Sequence, residues 1–253
     1  MSMFDLTGRV IVVVGGSKSI GFGMCEALAG QGATVIVVSR SAQENAHAVD
    51  KLRKKGGKAQ GKCADLQDVV RMNEVFDEVV HEFGRIDVLF SNASVARRQP
   101  LWDVTPEDYD YLMNINLRGT FFSALKCARI MKEQGFGKIV CTTSLLSFVI
   151  QKDRGVYAMT KAAAAHMVRS MATEFGPFGI TVNGIAPGLT LTDLNRKRFE
   201  EKPEELADMV SRIALGHPAK PADFGGIAVF LASDASNHLN GAVIPVDGGE
   251  SCL

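Results

Sequence analysis

Val10-Ile11-Val12-Val13-Val14-Gly15-Gly16-Ser17-Lys18-Ser19-Ile20-Gly21-Phe22-Gly23 is the stretch on which the fold is decided. Its five opening β-branched residues fit a strand buried on both faces. They run without a linker into a glycine-rich turn and then into a helix-patterned stretch over 21–31. Glycines permit a tight turn and let backbone N–H groups approach a pyrophosphate, whose charge is favoured at a helix N-terminus. The spacing is not G-x-G-x-x-G, so taken alone this turn leaves a plain connection open beside nucleotide binding.

Outward from it the pattern repeats. Short β-branched runs at 34–38, 59–63, 86–91, 138–143, 181–185 and 242–246 alternate with helix-patterned stretches at 43–55, 69–83, 106–134, 156–175 and 222–232. Such alternation predicts an α/β fold, a single Rossmann-like, doubly wound parallel sheet of about seven strands with helices on both faces. No repeat or Pro/Ser-rich linker divides the 253 residues, so one domain over 1–253 is expected. The polar segment 188–221 interrupts the alternation after a strand end. A substrate lid fits there, with a solvated surface helix pair as the alternative.

Composition narrows the function. Hydrophobic residues at 46% and charged residues at 22% exclude a disordered chain. Lys plus Arg and Asp plus Glu balance at 28 each, which argues against nucleic acid or a membrane surface as partner. The apolar runs are far shorter than the roughly 20 residues that span a bilayer, and residues 1–10 do not pattern as a secretory signal. A cytoplasmic protein is expected. Cys25, Cys63, Cys127, Cys141 and Cys252 are scattered, with no C-x-x-C pair and no metal-ligand spacing, and read as buried free thiols with no metal.

Chemistry is suggested by Tyr157 and Lys161, four residues apart on a predicted helix and so on one face. An ammonium beside a phenol favours the phenolate and makes Tyr a usable general acid–base near neutral pH. Ser144 follows a predicted strand, at the sheet edge where open α/β folds bind ligands. Singly, these features also arise as a chance helix-surface pair and a turn residue.

Together they resemble the short-chain dehydrogenase/reductase family over nearly the whole chain, from Thr7 to Gly249. The family's Tyr-x-x-x-Lys matches Tyr157-Ala158-Met159-Thr160-Lys161, its Ser thirteen residues earlier matches Ser144, and its helix Asn matches Asn116. The resemblance implies hydride transfer between a nicotinamide and a ketone or secondary alcohol. Ser144 would hold the carbonyl oxygen, and Tyr157 would act as general acid–base. Lys161 would hold the nicotinamide ribose and lower the Tyr157 pKa, and Asn116 would hold a water.

The family's cofactor cradle maps onto Gly15, Ser17, Lys18, Ser19, Ile20 and Gly21 in the first turn and onto Asp65 and Leu66 after the third strand. It continues at Asn92 and Ala93 after the fourth, and at Pro187, Gly188, Thr190 and Thr192, beside Tyr157 and Lys161 themselves. Asp65 would accept from the adenine amino group, with a helix N-cap as its other reading. The chain departs from the family at Val14 for Thr, Ser19 for the middle Gly of the turn, and Ser91 and Ser94 for Asn and Gly. Different hydrogen bonds between the two loops are expected, with a Cβ at Ser19 close to the pyrophosphate. Arg40 stands at the end of the second strand, where NAD-selective members carry an acid, and Lys18 adds charge nearby. NADP(H) is therefore expected over NAD(H).

Residues 145–150 read as an apolar substrate wall together with Trp102, Leu189 and Leu191, so a partly apolar small-molecule carbonyl or alcohol is expected. Arg97, Arg98, Lys152 and Arg154 read either as anion contacts or as solvated loop cations. A homotetramer or homodimer is implied by the family, whose helices matching those of Asn116 and Ala162-Ala163-Ala164-Ala165 commonly form subunit contacts. The leading reading is an NADP-dependent carbonyl reductase or alcohol dehydrogenase. Its rivals are a 3-oxoacyl-carrier-protein reductase, an NAD-linked sugar or polyol dehydrogenase, and a non-catalytic NADP-binding sensor. An enoyl reductase is disfavoured because such relatives usually separate Tyr and Lys by more residues.

Overall fold

The computed structural model describes residues 2–252, apart from the side chain of Leu194. Seven parallel strands form one sheet: β1 (Val10–Val14), β2 (Thr34–Ser39), β3 (Lys58–Cys63), β4 (Val88–Ser91), β5 (Gly137–Thr142), β6 (Ile180–Pro187) and β7 (Val243–Val246). Their order is β3-β2-β1-β4-β5-β6-β7, so the winding reverses between β1 and β4. There the C-terminal strand ends part and open a crevice.

Alternation along each strand divides the core between the two faces. From β1, Val10, Val12 and Val14 face α3 (Val69–Phe83), α5 (Thr120–Gln134) and α6 (Gly155–Phe175), where Phe76, Met131 and Val168 are buried. Ile11 and Val13 face the other way, onto α1 (Ser19–Gly30), α2 (Ala42–Lys54) and α9 (Gly225–Ala232), where Met24, Leu52 and Ala228 are buried. Burial on both faces explains the unbroken β-branched runs of β1 and β2.

Local chemistry sets the helix ends. The Ser41 hydroxyl accepts from the Glu44 N–H at 3.2 Å to cap α2, and Asp68 accepts from the Arg71 N–H at 3.0 Å to cap α3. The stretch predicted as one helix over 106–134 is divided into α4 (Pro106–Met113), a widened π-type turn over Asn114–Gly119, and α5. Segment 188–221 contains two short helices, α7 (Asp193–Glu201) and α8 (Pro203–Val210). Cys25, Cys127 and Cys141 are buried free thiols, whereas Cys63 and Cys252 are exposed because a strand end and the tail carry them outside both cores. No helix among the described residues is long and apolar enough to cross a membrane.

Candidate active site

The crevice at the strand reversal is a cleft of about 750 Å³. Its nucleotide-facing half is lined by Gly15, Ser17, Lys18, Ser19 and Ile20, by Arg40, Asp65, Leu66, Asn92 and Ala93, and by Pro187, Gly188, Thr190 and Thr192. Gly21 lies just behind the turn. A Cβ on Gly21 would fall on the Gly15 carbonyl, and one on Gly15, whose φ is +81°, would come within 2.7 Å of the Ala93 nitrogen. Backbone thus packs on backbone. The turn is held to the β4 loop by Asn92, whose Nδ2 donates to the Gly15 carbonyl at 3.0 Å and whose Oδ1 accepts from Thr142 Oγ1 at 3.1 Å. The Ser91 hydroxyl, by contrast, is buried without a partner among the described residues.

Ser19 occupies the family's glycine position with its backbone in the left-handed region, at φ +53°. Its Oγ is buried and has no partner among the described residues. A cradle with no room for a Cβ at its narrowest points, at the start of a twelve-residue helix, fits a dinucleotide pyrophosphate.

The cations expected to meet a 2′-phosphate both sit beside carboxylates. Lys18 Nζ donates to Glu44 Oε1 at 2.9 Å, and Arg40 Nη1 lies 3.8 Å from Asp65 Oδ2. Ser17 Oγ also donates to Glu44, at 3.3 Å, and the Lys18 hydrogen bond leads in holding the Glu44 carboxyl below its usual range. Glu44 lines the cleft and went unnoticed in the sequence, since an acid in the first turn of a helix reads as a dipole partner. Asp65 accepts from the Gln67 N–H at 2.9 Å and closes a local turn, while the helix cap is Asp68.

At the other end Ser144 lies two residues past β5, and its Oγ accepts from the Leu146 N–H at 3.1 Å. Tyr157 and Lys161 rise from the first turns of α6, and Tyr157 shares the cleft with Ser144. Lys161 is fully buried, donates to the Thr142 carbonyl at 2.9 Å, and stands 5.7 Å from the Tyr157 ring centre. Burial lowers its ammonium to about 8. Burial raises the Tyr157 phenol above its usual value, and the groups opposing that rise are a Ser144 hydrogen bond and the Arg154 charge. The net lowering of the phenol expected from Lys161 is not seen in this arrangement, where burial leads and the ammonium donates to the Thr142 carbonyl.

Asn116 is buried under the site in the widened turn. Its Oδ1 accepts from the Val95 N–H at 2.8 Å, and its Nδ2 donates to the Val95 carbonyl at 2.8 Å and to Thr160 Oγ1 at 3.2 Å. The side chain is thereby committed to protein contacts and ties the β4 loop to α6.

The substrate wall differs from the expectation. Leu145, Leu146 and Leu189 belong to the cleft, but Phe148, Val149 and Ile150 turn outward and Trp102 is 97% exposed. Leu191 does not line it, and the space is filled instead by Gln151, Arg154, Asn195 and Met209. Irregular chain after a strand end has no period, so its apolar residues carry no direction in the sequence.

The fold, the glycine turn and the Ser144–Tyr157–Lys161 constellation define a nucleotide-dependent oxidoreductase. A family model described as enoyl-(acyl carrier protein) reductase, adh_short_C2, matches residues 14–251, and the chain belongs to the short-chain dehydrogenase/reductase family. It is 34% identical over 248 residues to gluconate 5-dehydrogenase of Gluconobacter oxydans, covering 98% of this chain and 96% of that one. It is 35% identical to 2-dehydro-3-deoxy-D-gluconate 5-dehydrogenase of Pseudoalteromonas atlantica, covering 98% of each chain. The solved gluconate 5-dehydrogenase of Burkholderia cenocepacia in complex with NADP and tartrate superposes with a TM-score of 0.95 at 32% identity, covering 99% of this chain and 98% of that one.

Proposed function

We propose that this oxidoreductase is NADP-dependent and interconverts a secondary alcohol and a ketone on a small polyhydroxylated substrate, of which sugar acids are the favoured class. The observation that carries this reading is the meeting of Ser144 and Tyr157 beyond the C-terminal edge of β5, in one cleft that also holds Lys18 and Arg40, with Lys161 buried one helical turn beyond Tyr157 on α6. Similarity to gluconate and deoxygluconate dehydrogenases supports the sugar-acid class. So does the polar lining by Gln151, Arg154 and Asn195, which fits hydroxyl groups better than the apolar substrate expected at first.

In this reading Ser144 donates to the substrate oxygen and fixes its position. Tyr157 passes a proton to that oxygen in reduction and removes it in oxidation. Lys161 orients the nicotinamide ribose and, on turning toward it, brings its charge to bear on the phenol. Asn116 acts as a positioning residue, holding Val95 and Thr160 so that α6 keeps its place beside the cleft. When bound, the nicotinamide supplies or accepts the hydride. Lys18 and Arg40 select the 2′-phosphate. The segment 188–221 serves as the substrate lid of a single catalytic domain. A dimer or tetramer is supported by the apolar groove between α5 and α6, lined by Leu117, Phe121, Leu125 and Met167.

The test is oxidation of a panel of aldonates, alditols and secondary alcohols with NADP⁺ and NAD⁺, run beside Tyr157→Phe. NADP⁺-preferring turnover that falls by about 10²–10⁴-fold in the variant while NADPH still binds is expected. Full activity in Tyr157→Phe would overturn the assignment. Tight NADPH binding with no Tyr157-dependent turnover on any of these substrates would favour the sensor.

A further inference from the structure

At the substrate end of the cleft, whose lining includes both Arg154 and Glu250, the guanidinium groups of Arg98 and Arg198 gather beside Arg154. Arg154 precedes α6 and sits three residues before Tyr157. The loop that presents it is fixed by an uncommon backbone, with Asp153 at φ +61°, and by the Gln99 N–H donating to the Asp153 carbonyl at 2.8 Å. That crossing of two loops brings Arg98 beside Arg154. From the far side, α7 brings Arg198 and α8 brings Glu205. Glu205 is the acid of this cluster and is already engaged twice, by Arg98 Nη1 at 2.5 Å and by Arg198 Nε at 3.0 Å.

Arg154 makes no ion pair with that carboxylate among the described residues. Its Nε is buried and has no hydrogen-bond partner among the described residues, yet the residue lines the cleft. A guanidinium whose Nε is buried without a partner is costly, and two like charges beside it raise the cost. Burial, with Arg98 and Arg198, lowers its pKa, opposed by Tyr157 and Glu205. The neighbouring Arg97 is satisfied elsewhere, paired with Asp108 and stacked on Tyr111. Three guanidinium groups around one carboxylate call for a second anion, and the open side of Arg154 is the cleft.

We propose that Arg154, backed by Arg98 and Arg198, is the subsite for a substrate carboxylate, so that the enzyme selects hydroxy acids over the corresponding neutral polyols. The inference rests on the sugar-acid reading and gives it a residue. Glu205 positions the cluster by gathering Arg98 and Arg198 on its own carboxylate, which leaves the third guanidinium for the ligand. The subsite joins the loop before α6 to the two helices of segment 188–221, so a bound carboxylate adds a contact between them. Fork geometry favours a carboxylate over a single hydroxyl at this point.

Calorimetric binding of D-gluconate, tartrate and the neutral D-glucitol to the NADP⁺-loaded protein tests this directly, with Arg154→Gln and Arg154→Lys alongside. Wild type is expected to bind both anions more tightly than D-glucitol. Arg154→Gln should lose about tenfold or more of the anion affinity and so lose discrimination, Arg154→Lys should recover part of it, and NADPH titration should report an intact fold. In turnover, the loss should fall on KM for D-gluconate. Equal affinity of wild type for D-gluconate and D-glucitol would overturn the proposal. So would an Arg154→Gln variant that lowers kcat equally for both while shifting the pH profile, since that places Arg154 on Tyr157 alone. Anion binding that depends on Arg154 without any turnover would leave the subsite standing and remove the dehydrogenase reading.

Discussion

Replacing Ser19 by glycine should stabilise the protein without weakening its cofactor site. The left-handed backbone at φ +53° costs a residue with a Cβ about 1–2 kcal/mol. The buried hydroxyl without a partner among the described residues adds about 1 kcal/mol or more. Against this, glycine gains about 0.5–1 kcal/mol of freedom in the unfolded chain. The balance favours Ser19→Gly by about 1–2 kcal/mol, or roughly 2–8 °C in Tm for a chain of this length. Ser19→Ala removes the hydroxyl but keeps the strained backbone, so it should fall between wild type and Ser19→Gly. Differential scanning calorimetry of the three proteins orders them, and NADPH fluorescence titration measures the site. With its Cβ gone, Ser19→Gly should bind NADPH at least as tightly as wild type. A Ser19→Gly variant less stable than wild type, or level with Ser19→Ala, would refute the strain argument. A tenfold loss of NADPH affinity would show the hydroxyl to be a cofactor ligand.

Two more perturbations follow from charges placed by the fold. Glu44→Gln frees Lys18 and Ser17 from a carboxylate at the mouth of the nucleotide half; for an exposed pair worth about 0.2–1 kcal/mol, NADPH should bind roughly 1.4- to 5-fold tighter at low salt, and an equal change for NADH would sink the idea. Lys138 is buried in β5, donates to Ser236 Oγ at 3.1 Å, and burial lowers it to about 8, opposed by Asp234 and assisted by Arg9. Between about 8 and its ordinary 10.5 the unfolded chain holds this proton and the folded chain does not, so this group makes stability rise with pH across that window and weakens the fold below it. Lys138→Met should therefore raise Tm at pH 7 by about 2–10 °C and remove part of the rise between pH 8 and 10, as read by thermal melts; a lower Tm at pH 7 would show that the Ser236 contact outweighs the buried charge.

Much of the fold was legible because its signals are local. A β-branched run, a glycine turn and a helical period each occupy a few adjacent residues, and β1, α1 and β2 lie within two residues of where those signals place them. The Tyr157 and Lys161 spacing is local too, and the reach from Ser144 spans one loop and one helix start. The widened turn at Asn114–Gly119 was hidden, since the bond that accompanies it runs from Asn116 to Val95, across the β4 loop. Glu44 was hidden for the same reason, its partner Lys18 lying in another element. Trp102 and Ile150 were misplaced because hydropathy gives no direction to a loop.

The cleft itself is divided along this line. Its nucleotide half is built from backbone, with Gly21 against the Gly15 carbonyl and Gly15 against Ala93, so only glycine fits at those points and the sequence displays them. Beside its substrate half stands a cluster of charged side chains on four segments, and the Arg98–Glu205 pair joins residues 107 positions apart. Long side chains reach one anion from many starting points, so no fixed spacing marks such a subsite. A relative can keep the glycine turn and the Ser144–Tyr157–Lys161 constellation while moving its cations from one loop to another. Family membership is therefore readable from short motifs in this chain, whereas the choice between a hydroxy acid and a neutral polyol depends on whether Arg154 is left unpaired by Glu205, which only the folded arrangement displays.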